Sequence, residues 1–134
     1  MNIVYQTSVT NIGWQPAVQN GAMTGTVGQS QAIEAIKITI DVPNVSVKYR
    51  VSMWDIGWGD WVIDGAVAGT TGQNRPCEAI QIQLVGTPSN LGVVYEASVS
   101  NIGWQPWVAN GAEAGTTGQK KEFEALKLVL AYTP

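Results

Sequence analysis

From residue 34 to residue 40 the side chains alternate: Glu34, Ile36, Ile38 and Ile40 share one face, and Ala35, Lys37 and Thr39 the other. A period of two predicts a half-buried strand. The pattern returns at Glu78, Ile80, Ile82 and Leu84 and at Glu124, Leu126, Leu128 and Leu130. An all-leucine face suits a helix equally, but its isoleucine-rich counterparts decide for strand. An earlier segment alternates as well, with Tyr5, Thr7 and Val9 against Gln6, Ser8 and Thr10, and breaks at Gly13. Asn20-Gly21, Asp64-Gly65 and Asn110-Gly111 are hairpin dipeptides, because both residues accept positive φ, and each is expected to turn the chain between short strands. Gly25-Thr26-Val27-Gly28, Gly-Thr-Thr-Gly in the later copies, makes a second turn, so each stretch predicts about four short strands.

These stretches are three copies of one unit. Residues 4–40 recur as 48–84 and as 94–130, at offsets of 44 and 90 without insertion, and fourteen positions are identical in all three. Those positions include Tyr5/Tyr49/Tyr95, Ser8/Ser52/Ser98, Trp14/Trp58/Trp104 and Glu34/Glu78/Glu124. The connecting pieces, 41–47 and 85–93, carry Pro43, Gly86, Pro88 and Gly92 and are expected to be surface links. Three four-stranded units in 134 residues predict a single all-β domain (1–134) with pseudo-threefold symmetry. A β-prism of three four-stranded antiparallel sheets, sharing a core of Ile, Leu and Trp, is favoured over a β-trefoil.

Composition narrows the chemistry. The chain has no histidine and a single cysteine, Cys77, which removes Ser-His-Asp and Cys-His catalysis, an internal disulfide and the usual zinc sites. No Gly-x-Ser-x-Gly elbow or phosphate-binding glycine loop is present, so no enzyme and no cofactor is expected. With a net charge of -3 and Lys120-Lys121 the only adjacent basic pair, nucleic acid is a poor partner. No apolar run approaches the roughly 18 residues of a membrane-spanning helix, so membrane insertion is not expected. The start, Met1-Asn2-Ile3-Val4-Tyr5, has no basic segment leading into an apolar core, and no secretion signal is visible. Six tryptophans are the positive anomaly.

Asn11-Ile12-Gly13-Trp14-Gln15-Pro16, its counterpart Asn101-Ile102-Gly103-Trp104-Gln105-Pro106, the Gly-Thr-x-Gly turns and the Glu-Ala-Ile/Leu strands together resemble the clostridial hydrophobic repeat with a central tryptophan, the ChW family. The resemblance covers all three copies. It implies a bacterial protein at the cell surface or outside the cell, acting as an adhesion or carbohydrate-binding module. The family often carries histidine where this chain has Ser8, Ser52 and Ser98, so a ligand contact through that histidine does not carry over.

Trp14, Trp58 and Trp104 follow a glycine that turns the backbone sharply, and core packing near the threefold axis is the favoured reading over ligand contact. Three residues on stand Ala17, Trp61 and Trp107. A packed core would tolerate that loss of a ring poorly, at about 3 to 5 kcal/mol, so Trp61 and Trp107 are the better exposed stacking plates. A sugar offers an apolar C-H face and a rim of hydroxyls, and is held by an aromatic plate with planar amides or carboxylates. Each unit supplies such a set: Trp14, Gln15, Asn20 and Gln29; Trp58, Asp60, Trp61, Asp64 and Gln73; Trp104, Gln105, Trp107, Asn110 and Gln119. Asn20, Asp64 and Asn110 form turns through their backbone, with side chains left available. Gln29, Gln73 and Gln119 either contact ligand or fix the glycine turn.

Glu34, Glu78 and Glu124 each begin an apolar strand face and, once buried, need partners; a structural role accepting loop N-H groups is favoured over catalysis. Threefold symmetry spreads them apart, unlike the paired carboxylates of glycosidases. Asp55, Asp60 and Asp64 cluster only in the second unit, a weak signal for a hydrolytic or calcium site.

These readings converge on a non-catalytic, lectin-like protein with up to three related glycan sites, the first weakest because of Ala17. The alternative is a structural or adhesive module that binds protein partners or self-assembles into a homo-oligomer.

Overall fold

The computed structural model describes residues 1–86 and 90–132, and every regular element in them is a strand. Each unit has two long strands and three of two residues. The first holds β1 (Asn2–Val9), β2 (Gly13–Trp14), β3 (Val18–Gln19), β4 (Thr24–Gly25) and β5 (Ile33–Asp41). The second holds β6 (Ser46–Met53), β7 (Gly57–Trp58), β8 (Val62–Ile63), β9 (Ala68–Gly69) and β10 (Cys77–Val85). The third holds β11 (Leu91–Val99), β12 (Gly103–Trp104), β13 (Val108–Ala109), β14 (Ala114–Gly115) and β15 (Phe123–Tyr132).

The long strands pair antiparallel within each unit, Tyr5 opposite Ile38, Tyr49 opposite Ile82 and Tyr95 opposite Leu128. The first two short strands fold back on the first long strand, as in Ser8 opposite Trp14 and Tyr5 opposite Val18. The third short strand leaves its unit: β9 pairs with β5, β14 with β10 and β4 with β15. Three antiparallel sheets result, each of five strands with one on loan from a neighbour. The exchange runs around a closed ring of units while no sheet closes on itself, so the prism-like arrangement holds and the trefoil barrel does not form among the described residues.

This exchange redefines the Asn-Gly and Asp-Gly turns. Asn20 and Gly21 have the positive φ values expected, 51° and 90°, but β3 and β4 are not paired with each other. The turn carries the chain from its own sheet to the next, where the Gly21 N-H donates to the Leu128 carbonyl at 2.7 Å. Gly65 and Gly111 do the same to Ile38 and Ile82. The connecting pieces also differ from expectation. Gly92 lies inside β11, and Val45, Val47, Leu91 and Val93 are buried, because the long strands begin earlier than the repeat comparison marks them. Pro43 sits in a surface turn closed by Val45 N-H to Val42, and Pro88 lies outside the described residues.

The three inner faces meet in one core of Ile, Val, Leu and Tyr, with Phe123. No tryptophan belongs to it. Tyr5, Tyr49 and Tyr95 are its largest buried side chains, and each hydroxyl crosses to a neighbouring sheet. Tyr49 accepts the Ile38 N-H at 3.1 Å, Tyr95 that of Ile82 at 3.1 Å and Tyr5 that of Leu128 at 3.2 Å. The hydroxyls donate to Ala66, Ala112 and Ala22 carbonyls. Burial raises all three phenols above their ordinary range, partly offset by these backbone bonds.

Candidate functional site

The strand alternation breaks once per unit, at the glutamate. Ala35 stands opposite Ser8 and Ile33 opposite Val9, which leaves Glu34 as the extra residue of a β-bulge. Glu78 is bulged in the same way between Cys77 and Ala79, and Glu124 between Phe123 and Ala125. The core residue is therefore Ile33, Cys77 or Phe123, all fully buried, and the glutamate does not head the apolar face as its spacing suggests. Its carbonyl accepts an N-H from the borrowed strand's end: Thr70 to Glu34 at 3.1 Å, Thr116 to Glu78 and Thr26 to Glu124 at 3.0 Å. The borrowed glycines fit there because they have no side chain. A Cβ on Gly69 would lie 2.3 Å from the Glu34 carbonyl oxygen, with 2.3 Å at Gly115 and 2.2 Å at Gly25.

The bulge turns the carboxyl group into the seam between units. In the second unit a cleft of about 530 Å³ is lined by Ser52, Trp54, Asp55, Trp58 and Glu78, with Thr117, Gly118 and Lys120 from the third. In the first, a cleft of about 380 Å³ is lined by Ser8, Asn11, Trp14 and Glu34, with Thr71, Gly72 and Asn74 from the second. Glu78 accepts the Ser52 hydroxyl at 2.7 Å and the Gly118 N-H at 3.2 Å. That is the loop N-H contact expected of it, supplied by the neighbouring unit. Each cleft thus places an indole, a hydroxyl, a buried carboxylate and a glycine turn together. Three residues of each lining come from a different unit, which a comparison of aligned copies does not reveal. The left-handed Asn11, Asn74 and Lys120 on the cleft rims were missed as site residues, and Asp55 was singled out only for a hydrolytic or calcium site; their recurring positive φ is a structural signal without a sequence marker at Lys120.

The other expected ligand residues are distributed differently. Trp14, Trp58 and Trp104 are half-buried on the outer sheet surface rather than packed at the axis. Each is capped by a cation: Lys37 lies 4.4 Å from the Trp14 ring centre, Arg50 4.9 Å from Trp58 and Lys127 4.3 Å from Trp104. Trp61 and Trp107 are exposed, at 37% and 45%, as a stacking plate requires, but outside the seam clefts. Trp61 is itself covered by Lys48 at 4.9 Å and Arg50 at 4.8 Å. Ala17 lines a separate groove of about 180 Å³, with Val4, Gln6 and Lys37, and not the first cleft.

Asn20, Asp64 and Asn110 do not leave their side chains available. Their Oδ1 atoms accept the N-H groups of Ile3, Val47 and Val93 at 2.9 to 3.0 Å, tying the crossing turn to the long strand. Gln15 and Gln105 likewise accept the Gly25 and Gly115 N-H groups, at 2.7 and 2.8 Å. Gln29, Gln73 and Gln119 stand exposed beside the glycine turns. The aspartates do not cluster: Asp55 faces Lys120 at 3.9 Å, Asp60 lines a groove beside Val62, and Asp64 holds its turn. No group of three metal-ligating side chains gathers among the described residues. Burial, with Glu34 and Glu78 adding, holds the Cys77 thiol far above its ordinary range.

The family model described as Clostridial hydrophobic W matches residues 9–41, 54–86 and 99–131, one match per unit. No curated protein and no solved structure matches the chain at a significant level.

Proposed function

The chain belongs to the Clostridial hydrophobic W family, and we propose that it is a non-catalytic, lectin-like protein that binds cell-surface or cell-wall glycans outside the cell through up to three related sites. The observation that carries this reading is the seam cleft, where Trp58 stands beside the buried Glu78, the Ser52 hydroxyl and the Gly118 turn, and where Trp14 and Glu34 repeat the arrangement. An indole takes the C-H face of a sugar ring, and the polar groups take its hydroxyls. Each cleft has one buried carboxylate, while the second one in the second cleft, Asp55, is solvent-exposed beside Lys120. Glu34 has no second carboxylate beside it among the residues lining the first cleft, so the pair that glycoside hydrolysis uses is not repeated there. A shallow site of millimolar affinity corresponds to about -4 kcal/mol, and engaging several sites on one glycan surface raises avidity by roughly 10² to 10⁴.

Glycan-array screening followed by calorimetry on the intact protein tests this reading. Saccharide binding that quenches tryptophan fluorescence and weakens in Trp58→Ala supports it; no binding to any glycan at high protein concentration overturns it. One observation favours the adhesive alternative: Ile12, Ile56 and Ile102, identical in all units, are 50 to 59% exposed beside the tryptophan turns. Concentration-dependent light scattering abolished by Ile56→Ser, with no response to sugars, is the result that selects it.

A further inference from the structure

Glu34 and Glu78 occupy equivalent bulges and are similarly buried, at 5% and 6% exposure, yet their oxygens are matched differently. Both oxygens of Glu78 are engaged, by Ser52 and by Gly118. Glu34 Oε2 is buried with no hydrogen-bond partner. A buried carboxylate oxygen strongly favours acquiring a donor, and none of the described residues supplies one to it. Glu34 is also the only charged side chain lining that cleft among the described residues. Lys37, stacked on Trp14, does not line it.

We infer that the first-unit cleft is a stronger saccharide site than the second-unit cleft and that it selects sugars donating a hydroxyl or ammonium hydrogen to Glu34 Oε2, while excluding acidic sugars. The inference rests on the glycan-binding reading above. A bond from ligand to this carboxylate is charge-assisted and replaces no existing partner. Trp14 faces the same space, so a ring with one apolar face and a donor at its edge meets both groups. Asn11 and Asn74, one from each unit, complete a rim that can donate and accept. A ligand carboxylate would face Glu34 without a lining cation, and the low local dielectric magnifies that repulsion. In the second cleft the same carboxylate is already satisfied, and the Asp55–Lys120 pair occupies the rim instead.

The test is calorimetric titration of the intact protein with a neutral glucose trisaccharide, a glucosamine trisaccharide and a galacturonic acid trisaccharide. Glu34→Gln is expected to weaken the tightest neutral or amino-sugar site by about tenfold or more, the loss of a charge-assisted acceptor, whereas Glu78→Gln leaves that site within about twofold. In the wild-type protein, sugar-induced amide shifts are expected at Gly72 and Asn74 ahead of Gly118 and Lys120, a readout that stands even where a variant fails to fold. Undiminished binding by a folded Glu34→Gln variant overturns the inference, as do shifts confined to the Gly118 side or equally tight binding of the acidic trisaccharide at the Gly72 side. If the wild-type protein binds no saccharide, the glycan reading falls and this inference falls with it; if it binds and Glu34→Gln binds equally, only the inference falls.

Discussion

The Tyr49 hydroxyl of the second unit accepts the Ile38 N-H of the first at 3.1 Å, across the boundary between their sheets. It donates to the Ala66 carbonyl of the crossing turn, so one atom fastens a long strand to the segment that delivers the borrowed strand. Tyr5 and Tyr95 repeat this around the ring. Tyr49→Phe keeps the ring but strands a buried N-H and a carbonyl, and is expected to lower stability by about 1 to 3 kcal/mol. Urea unfolding measures this; an unchanged midpoint would contradict the fastening role.

The same tyrosines set a limit at high pH. Burial raises their pKa values, so the folded phenols stay neutral after the unfolded chain has begun to ionise near pH 10. Their contribution is complete below about pH 10 and is lost as pH rises through the higher folded values. Cys77, also raised, adds a loss that starts lower, near the ordinary thiol value of about 8.5. Stability should therefore fall above about pH 8.5 and more steeply above about pH 10, and Cys77→Val should remove the first part only. Denaturant titrations across that range, with tyrosinate absorbance, check both the onset and the steepening.

Gly69 and Gly72 separate close approach from backbone strain. Both have positive φ, 94° and 71°. An added Cβ at Gly72 meets nothing within 4 Å, whereas at Gly69 it falls 2.3 Å from the Glu34 carbonyl oxygen. Gly72→Ala is expected to cost about 1 to 2 kcal/mol in backbone strain. Gly69→Ala adds a clash with backbone worth about 1 to 3 kcal/mol more, and should displace the borrowed strand. Thermal unfolding ranks the two; equal losses would mean that the seam accommodates a methyl group.

Arg50 sits between Trp58 and Trp61, at 4.9 and 4.8 Å, and its Nε donates to Gln81 at 2.7 Å. In the other units the capping cation comes from the second long strand, as Lys37 and Lys127. The cation is thus kept while its position in the unit changes. Arg50→Gln is expected to cost about 1 to 2 kcal/mol and to expose both indoles. Increased acrylamide quenching of tryptophan fluorescence is the direct readout.

Much of this architecture was legible in the chain. The repeats, a strand over residues 34–40, within the observed 33–41, and the positive φ of Asn20 and Gly21 follow from spacing and turn chemistry, because those effects are local. The destination of β4 was not legible: a two-residue strand carries no record of its partner, and Gly25 finds its place only through the Glu124 backbone of another unit. The role of Glu34 was obscured for a related reason. A bulge shifts the alternation by one residue without altering which residues look apolar, so the phase ran from Glu34 where the core face includes Ile33. Trp14 misled by size: a large ring in a small β protein suggests core, but Tyr5 fills that role, and Lys37 covers the indole outside. The repeated spacing of the tryptophans was therefore visible, and their orientation was not.

The closed exchange of strands makes a last outcome testable with one unit. A 45–86 fragment contains β6 to β10, yet its β9 is shaped to pair with a neighbour's long strand and its own β10 expects Gly115 and Ala114 opposite Ala79 and Ile80. Its own Gly69 and Ala68 are the equivalent residues, so three copies can satisfy one another where one cannot satisfy itself. Tyr49 makes the same demand, since the strand that donates to it belongs to a different unit. The fragment should be unfolded as a monomer and gain β structure only as a trimer, with cooperative dependence on concentration. Sedimentation equilibrium combined with circular dichroism distinguishes the cases. A folded monomer would show that the short strand can return to its own sheet, and that the exchange is a consequence of tethering rather than a requirement of the fold.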